Sequence, residues 1–113
     1  MSVLVTGGLG YIGSHTCVEL MNAGQEIVVV DNLYNCKKSS YDRIKALTGK
    51  DFSFYECDIR NKEGLNEVFE KENITSVIHF AGLKAVGESV RKPLEYFDNN
   101  ITGTLVLLDV CLL

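Results

Sequence analysis

Residues 3 to 13 read Val-Leu-Val-Thr-Gly-Gly-Leu-Gly-Tyr-Ile-Gly, an apolar run that passes straight into closely spaced glycines. Residue types in this order could hold a diphosphate without a cationic side chain. Gly7 and Gly10 permit backbone conformations and close approaches that a Cβ would block. Gly13 lets the following helix lie close to a sheet, and the N-terminus of that helix turns free N–H groups and a positive dipole end toward phosphates. The run reads either as Gly8-x-Gly10-x-x-Gly13 or as Gly7-x-x-Gly10-x-x-Gly13 preceded by Thr6. On spacing alone, a glycine-rich turn is often only a turn. The context adds weight: a β-branched strand precedes it, a helical pattern follows, and Asp31 ends the next strand eighteen positions after Gly13.

A carboxylate at that strand end can accept hydrogen bonds from both ribose hydroxyls of an adenosine. It would repel a 2′-phosphate, which favours NAD over NADP. Lys37 and Lys38 leave some room for NADP, and the plainer reading of Asp31 is an Asx-turn with Asn32. Asp58 follows the third strand in Tyr-Glu-Cys-Asp-Ile-Arg. Its carboxylate could take the adenine amino group, with Ile59 as backbone partner and apolar wall, or it could merely lead a helix. After the fourth strand, Phe80-Ala81-Gly82-Leu83-Lys84 offers small residues where the second half of a dinucleotide would pass. Ala81 and Gly82 would give room there, and Lys84 could donate to a ribose or diphosphate oxygen or simply face water.

The elements that must position these residues alternate in type, as βαβ units of a parallel sheet do. Strands are expected at Ser2 to Thr6, Glu26 to Asp31, Phe52 to Glu56 and Thr75 to Phe80. The Ile-Val-Val-Val centre of the second is apolar on both faces, as a central parallel strand should be. Helix one should run from Tyr11 to Ala23, burying Gly13, Cys17, Leu20 and Met21, with Gly24 as its stop. Ser39 or Ser40 could cap a short helix with Tyr41, Ile44 and Leu47 inward. Asn61 should cap a helix that buries Leu65, Val68 and Phe69. Pro93 suits the first turn of a last helix, whose apolar stripe is Leu94, Phe97, Ile101, Leu105 and Leu108.

The 113 residues are enough for one domain burying roughly two-thirds of its unfolded surface. With 46% hydrophobic and 23% charged residues and a net charge of −4, no global field recruits nucleic acid. Five of the eleven Lys and Arg fall between Lys37 and Lys50, where a solvated helical face accounts for them. No apolar run is long enough to cross a bilayer. The four cysteines, at 17, 36, 57 and 111, lack paired spacing, so zinc is unsupported. Free thiols in a reducing cytoplasm are expected. His15 and His79 are isolated and read as packed or capping residues.

Taken together, Thr-Gly-Gly-Leu-Gly-Tyr-Ile-Gly-Ser-His, Val-Val-Asp-Asn-Leu-Tyr-Asn, Cys-Asp-Ile-Arg, His-Phe-Ala-Gly-Leu-Lys-Ala-Val-Gly-Glu-Ser and Tyr-Phe-Asp-Asn-Asn resemble the UDP-glucose 4-epimerase branch of the extended short-chain dehydrogenases. The resemblance covers almost the whole chain. It implies NAD contacts from Tyr11, Ile12, Asp31, Asn32, Leu33, Tyr34, Asn35, Cys36, Asp58, Ile59, Phe80, Ala81, Gly82, Leu83, Lys84 and Asn99. Cys36 departs from the Ser common in the family, and a thiol donates weakly. The implied reaction takes hydride from C4 of a UDP-hexose to tightly held NAD, then returns it to the opposite face of a 4-keto intermediate. The last helix is implied to join an intersubunit four-helix bundle, hence a homodimer.

The family's base is a Tyr-x-x-x-Lys pair on the helix after strand five. Two spacings match, Tyr34 with Lys38 and Tyr41 with Lys45. Both follow strand two, on the adenosine side, and are assigned to chance. The expected fold is thus the N-terminal part of a Rossmann-type doubly wound parallel sheet, strand order 3-2-1-4, in a single incomplete NAD-binding domain over residues 1–113. Because the last helix ends without a stop signal, the chain reads as the leading part of a longer protein, inactive alone and without catalytic residues or metal ligands of its own. A nucleotide-sugar dehydratase or decarboxylase, or a non-catalytic nucleotide-binding module, would share the same half.

Overall fold

The computed structural model describes residues 2–33, 39–81 and 90–111, apart from the side chain of Phe97. Four strands, β1 (Ser2–Thr6), β2 (Glu26–Asp31), β3 (Ser53–Glu56) and β4 (Ile74–His79), form one sheet in the order β3-β2-β1-β4. All three pairings are parallel, as expected. The register sets Thr6 opposite both Val30 and His79, and Asp31 opposite Glu56. Every strand therefore delivers its last residues to the same end of the sheet, from which the candidate site residues extend.

Helices cover both faces. Val5, Ile27 and Val29 pack with Cys17 and Met21 of α1 (Tyr11–Asn22) and Ile44 of α2 (Ser39–Thr48). Leu4, Val28 and Val30 point the other way. They meet Leu65 and Val68 of α3 (Lys62–Lys71) and Leu107 and Val110 of the last helix. β2 is buried from Ile27 to Asp31 because it has a neighbour on each edge and helices on each face. Each such Val or Leu contributes about 1.5–3 kcal/mol relative to exposure. β4 is only partly covered, since no described strand lies on its outer edge.

Local signals account for most of the helix ends. Beyond α1, the N–H groups of Gly24 and Gln25 bond back to the carbonyls of Met21 and Leu20, closing the helix where a stop was expected. Asn61 accepts the Gly64 N–H at 3.1 Å and caps α3, also as expected. Leu47, expected inward, is 66% exposed. The face that α2 turns inward runs through Tyr41, Ile44, Lys45 and Thr48. A residue six positions after Tyr41 falls off that 3.6-residue stripe.

The last helical stretch departs from expectation more deeply. It is not one helix but α4 (Pro93–Phe97), a π-helical turn (Asp98–Thr102) and α5 (Gly103–Cys111). Leu94, Ile101, Leu105 and Leu108 of the anticipated stripe are all more than half exposed. The sheet instead takes Gly103, Leu107 and Val110. A Cβ on Gly103 would lie 2.5 Å from Cδ1 of Ile59. The helix therefore docks by its smallest residue, on the opposite apolar face.

Candidate functional site

The loop after β1 is set by backbone bonds before any side chain acts. Gly7 N–H reaches the Val30 carbonyl at 2.8 Å, and Gly10 N–H returns to the Gly7 carbonyl at 3.1 Å. Gly7 has φ +67°, where a side chain is strained, and a Cβ there would press on the backbone of Phe80 and Ala81 at 2.7–2.9 Å. Gly13 was expected to let α1 approach the sheet. What a Cβ on it would strike is the loop itself, the Gly7 carbonyl oxygen and Gly8 Cα. Gly10 is different. Among the described residues, only the Gly7 oxygen lies near its Cβ position, at 3.4 Å, an ordinary contact distance. Gly10 also caps α1 without a side-chain bond, and the first turn carries no acid. Among the described residues, no side chain accepts from the helix's leading N–H groups, and Tyr11 and Ile12 beside them are 82% and 55% exposed.

Asp31 is buried at the end of β2. Its Oδ1 accepts the Leu33 N–H at 2.8 Å, the Asx-turn of the plainer reading, with Asn32 at its centre. Its Oδ2 accepts the Leu9 N–H at 3.2 Å, across to the glycine loop. Each oxygen thus accepts a backbone N–H, one within its own turn and one from the glycine loop. Leu33 itself is held at φ +62°, a left-handed conformation that costs a Leu roughly 1–2 kcal/mol.

Asp58, beyond β3, has both oxygens engaged. Oδ1 accepts the Arg60 N–H and Nε–H at 2.9 and 3.0 Å, and Oδ2 meets the guanidinium at 2.6 Å. The Arg60 bond, with further help from the Arg60 backbone and the Asn32 side chain, holds the Asp58 carboxyl below its ordinary range. The other arm of Arg60 binds Asp98 in the π-helical turn. Ile59 is only 3% exposed, with its side chain under Gly103. Its side chain thus belongs to the core that floors this loop.

At the end of β4, Thr6 organises the turn. Its Oγ1 accepts the N–H groups of Phe80 and Ala81 at 3.1 and 3.3 Å and lies 2.5 Å from His79 Nδ1. Because the Thr104 hydroxyl proton goes to the Asn100 carbonyl, Thr104 Oγ1 accepts from Nε2, and Nδ1 takes the Thr6 hydroxyl proton. Nε2 donates to Thr104 Oγ1 at 3.2 Å, and Thr104 donates to the Asn100 carbonyl at 2.6 Å. Buried Asn99 donates to the Ala81 carbonyl at 3.4 Å and to Asn100 Oδ1 at 3.0 Å. The π-helical turn is therefore tied to the strand ends from two sides.

Among the expected residues, Gly7, Gly10, Tyr11, Ile12, Gly13, Asp31, Asn32, Leu33, Asp58, Ile59, Phe80, Ala81 and Asn99 all lie at the carboxyl ends of the strands or in elements bonded to them. Tyr34, Asn35, Cys36, Gly82, Leu83 and Lys84 lie outside the described residues. Arg60 and Asp98 carry much of the geometry but have no role in the sequence reading, Thr6 enters it only as the residue before the glycines, and His79 only as a packed or capping residue. The only sequence signal was Asp-x-Arg in one loop; the remaining contacts join residues 25 to 75 positions apart.

Tyr41 and Lys45 do not form a catalytic pair. The Tyr41 hydroxyl donates to Asp51 and to the Phe52 carbonyl at the amino end of β3, opposite the site. Desolvation, then the Asp51 bond, raises its pKa, the reverse of what a base requires. Tyr34 and Lys38 lie outside the described residues. Among those described, no group of three His, Cys, Asp or Glu side chains could hold a metal ion. Cys17 is buried with Sγ toward the Gly8 carbonyl, and burial pushes its thiol up to about 12. No described helix is long and apolar enough to cross a membrane.

Comparison with known proteins converges on one group. The GDP-mannose 4,6 dehydratase family matches residues 4–112. The UDP-glucose 4-epimerase of Bacillus subtilis is 59% identical over 109 residues, covering 96% of this chain and 32% of that protein. That of Klebsiella pneumoniae is 59% identical over 108 residues, covering 96% and 78%. A crystal structure of UDP-glucose 4-epimerase from Bifidobacterium longum in complex with NAD+ and UDP superimposes with a TM-score of 0.95 at 51% identity. It is matched over 97% of this chain and 33% of its own. The chain thus spans about a third of the length of the Bacillus and Bifidobacterium relatives.

Proposed function

Because the chain belongs to the UDP-glucose 4-epimerase family, we propose that it supplies the NAD-binding part of an enzyme interconverting UDP-glucose and UDP-galactose. The residues present fit the cofactor: a Gly10 whose Cβ position meets only the Gly7 oxygen among the described residues, an α1 N-terminus without an acidic cap, and a buried carboxylate at the end of β2. The carrying observation is the bond from Leu9 N–H to Asp31. It joins the loop to the acid, so that a diphosphate on the N–H groups of Tyr11 and Ile12 leaves its ribose beside Asp31.

In this reading Gly7, Gly10 and Gly13 shape the diphosphate cradle. Asp31 accepts the ribose hydroxyls, and Asn32, Leu33, Tyr34, Asn35 and Cys36 continue along the adenosine. Asp58 takes the adenine amino group, with Ile59 beneath it as part of the floor. Phe80, Ala81, Gly82, Leu83, Lys84 and Asn99 line the path of the second nucleotide. Bound NAD would supply hydride acceptance and return at C4 of the sugar. This chain's residues bind and orient; none of those described offers a base for the C4 hydroxyl. The parent reading further includes a UDP-hexose substrate, a homodimer, a cytoplasmic location and a place in galactose metabolism.

The test is titration of NAD and NADP against the protein as its source makes it, followed by assay of the interconversion. Tighter binding of NAD with epimerisation supports the proposal. Preference for NADP, or net dehydration or decarboxylation of the nucleotide sugar, would replace it.

A further inference from the structure

Arg60 occupies a place that its local pairing does not explain. β3 and β4 are the two outer strands of the described sheet, with β2 and β1 between them. Arg60 leaves the loop after β3, grips both oxygens of Asp58, and reaches Asp98 thirty-eight residues later. Asp98 precedes buried Asn99, whose amide donates to the Ala81 carbonyl at the end of β4. One guanidinium therefore links the two outer sides of the strand-end surface. The Arg60 side chain is 36% exposed and Asp98 51%, so screening limits what the pair adds to fold stability. Its yield is geometric.

The geometry at Asp58 is restrictive. Three of the carboxylate's roughly four acceptor positions go to Arg60. The Asn32 side chain also hydrogen-bonds this carboxylate, so an exocyclic amino group would share or displace that bond at the one position Arg60 does not take. A planar, forked guanidinium can fix a carboxylate in this way; an ammonium group, a single point charge, cannot.

We propose that Arg60 is a positioning residue for the dinucleotide. Through Asp58 it leaves one acceptor direction for the adenine amino group, and through Asp98 it holds the turn carrying Asn99 at the other side. This rests on the NAD reading above, with Asp58 at the adenine.

The experiment compares NAD with nicotinamide hypoxanthine dinucleotide, which has a carbonyl in place of the adenine amino group. Dissociation constants are measured by calorimetry on the protein as its source makes it, stripped of cofactor. The unaltered protein should prefer NAD by about tenfold, the scale of one bond to a charged acceptor. In Arg60→Gln the preference should collapse to about twofold or less, while thermal midpoints without cofactor stay within a few degrees. Arg60→Lys should keep only part of the preference. Asp98→Asn, which leaves the grip on Asp58 intact, should weaken both dinucleotides equally and preserve their ratio.

An Arg60→Gln protein that retains the full preference overturns the proposal. So does an Asp98→Asn protein with unchanged affinities, or a shifted ratio in that variant. If the unaltered protein binds both dinucleotides equally, Asp58 does not read adenine and the proposal falls while NAD binding stands. If it binds neither, the NAD reading fails as well.

Discussion

The carbonyl oxygen of Gly7 lies where a Cβ on Gly13 would have to go, whereas a Cβ on Gly10 would clear that same oxygen at 3.4 Å. Two glycines of one motif thus answer to different constraints, the first to the fold and the second to whatever approaches the loop. Gly13→Ala should destabilise by about 3 kcal/mol or more, because the obstruction is backbone. Gly10→Ala should fold within about 1 kcal/mol of the parent yet lose NAD affinity by at least tenfold. Denaturant melts paired with NAD titrations separate the two; equal loss of stability in both variants would remove the distinction.

Thr6 offers a second separation. Thr6→Ser keeps the hydroxyl that serves Phe80, Ala81 and His79, and should stay within about 1 kcal/mol of the parent. Thr6→Val matches the volume but removes the oxygen that Ala81 N–H and His79 Nδ1 face, while Phe80 N–H keeps the Thr6 carbonyl at 2.9 Å, for a cost of about 1–3 kcal/mol. Chemical denaturation reads both. Nitrogen-15 chemical shifts of the neutral His79 ring in the parent protein should show the Nε2–H tautomer.

Asp31 has both a structural and a ligand-facing role. Asp31→Asn retains one acceptor oxygen for Leu9 or Leu33 but not both. It should lower stability by about 1–3 kcal/mol and weaken NAD more than NADP. Calorimetric affinities for the two cofactors check it; an unchanged NAD-to-NADP ratio would remove Asp31 from the ribose.

Cys17 gives a pH dependence of known sign. Its folded pKa, pushed up to about 12, lies above the ordinary thiol value of 9.0. The unfolded chain therefore releases this proton first. The contribution of Cys17 is fully present below about pH 9 and declines as pH rises from there toward 12, by at most about 1.4 kcal/mol per pH unit. Urea midpoints at pH 8 and pH 10 should differ less in Cys17→Ala than in the parent.

The 113-residue chain alone should interconvert neither UDP-glucose nor UDP-galactose. The described tyrosine that meets the Tyr-x-x-x-Lys spacing has its pKa raised and faces the amino end of β3. A coupled assay for UDP-glucose formation at high chain concentration checks this.

The sequence by itself determined the strands, their order, the helix caps at Asn61 and Gly24, and the family, because these follow from short-range periodicity, turn chemistry and contiguous motifs. It also placed Gly10 and Asp31 at one end of a sheet, since parallel strands deliver their last residues together. Only the tertiary structure decided which apolar face of the last helix meets the sheet. Leu105 and Leu107 are equally hydrophobic, and Gly103 settles the matter by fitting over Ile59. The same holds for Thr6 with His79 and Arg60 with Asp98: their partners lie 73 and 38 residues away. Hydrogen bonds across such separations depend on folded geometry, which no local pattern of residue types encodes.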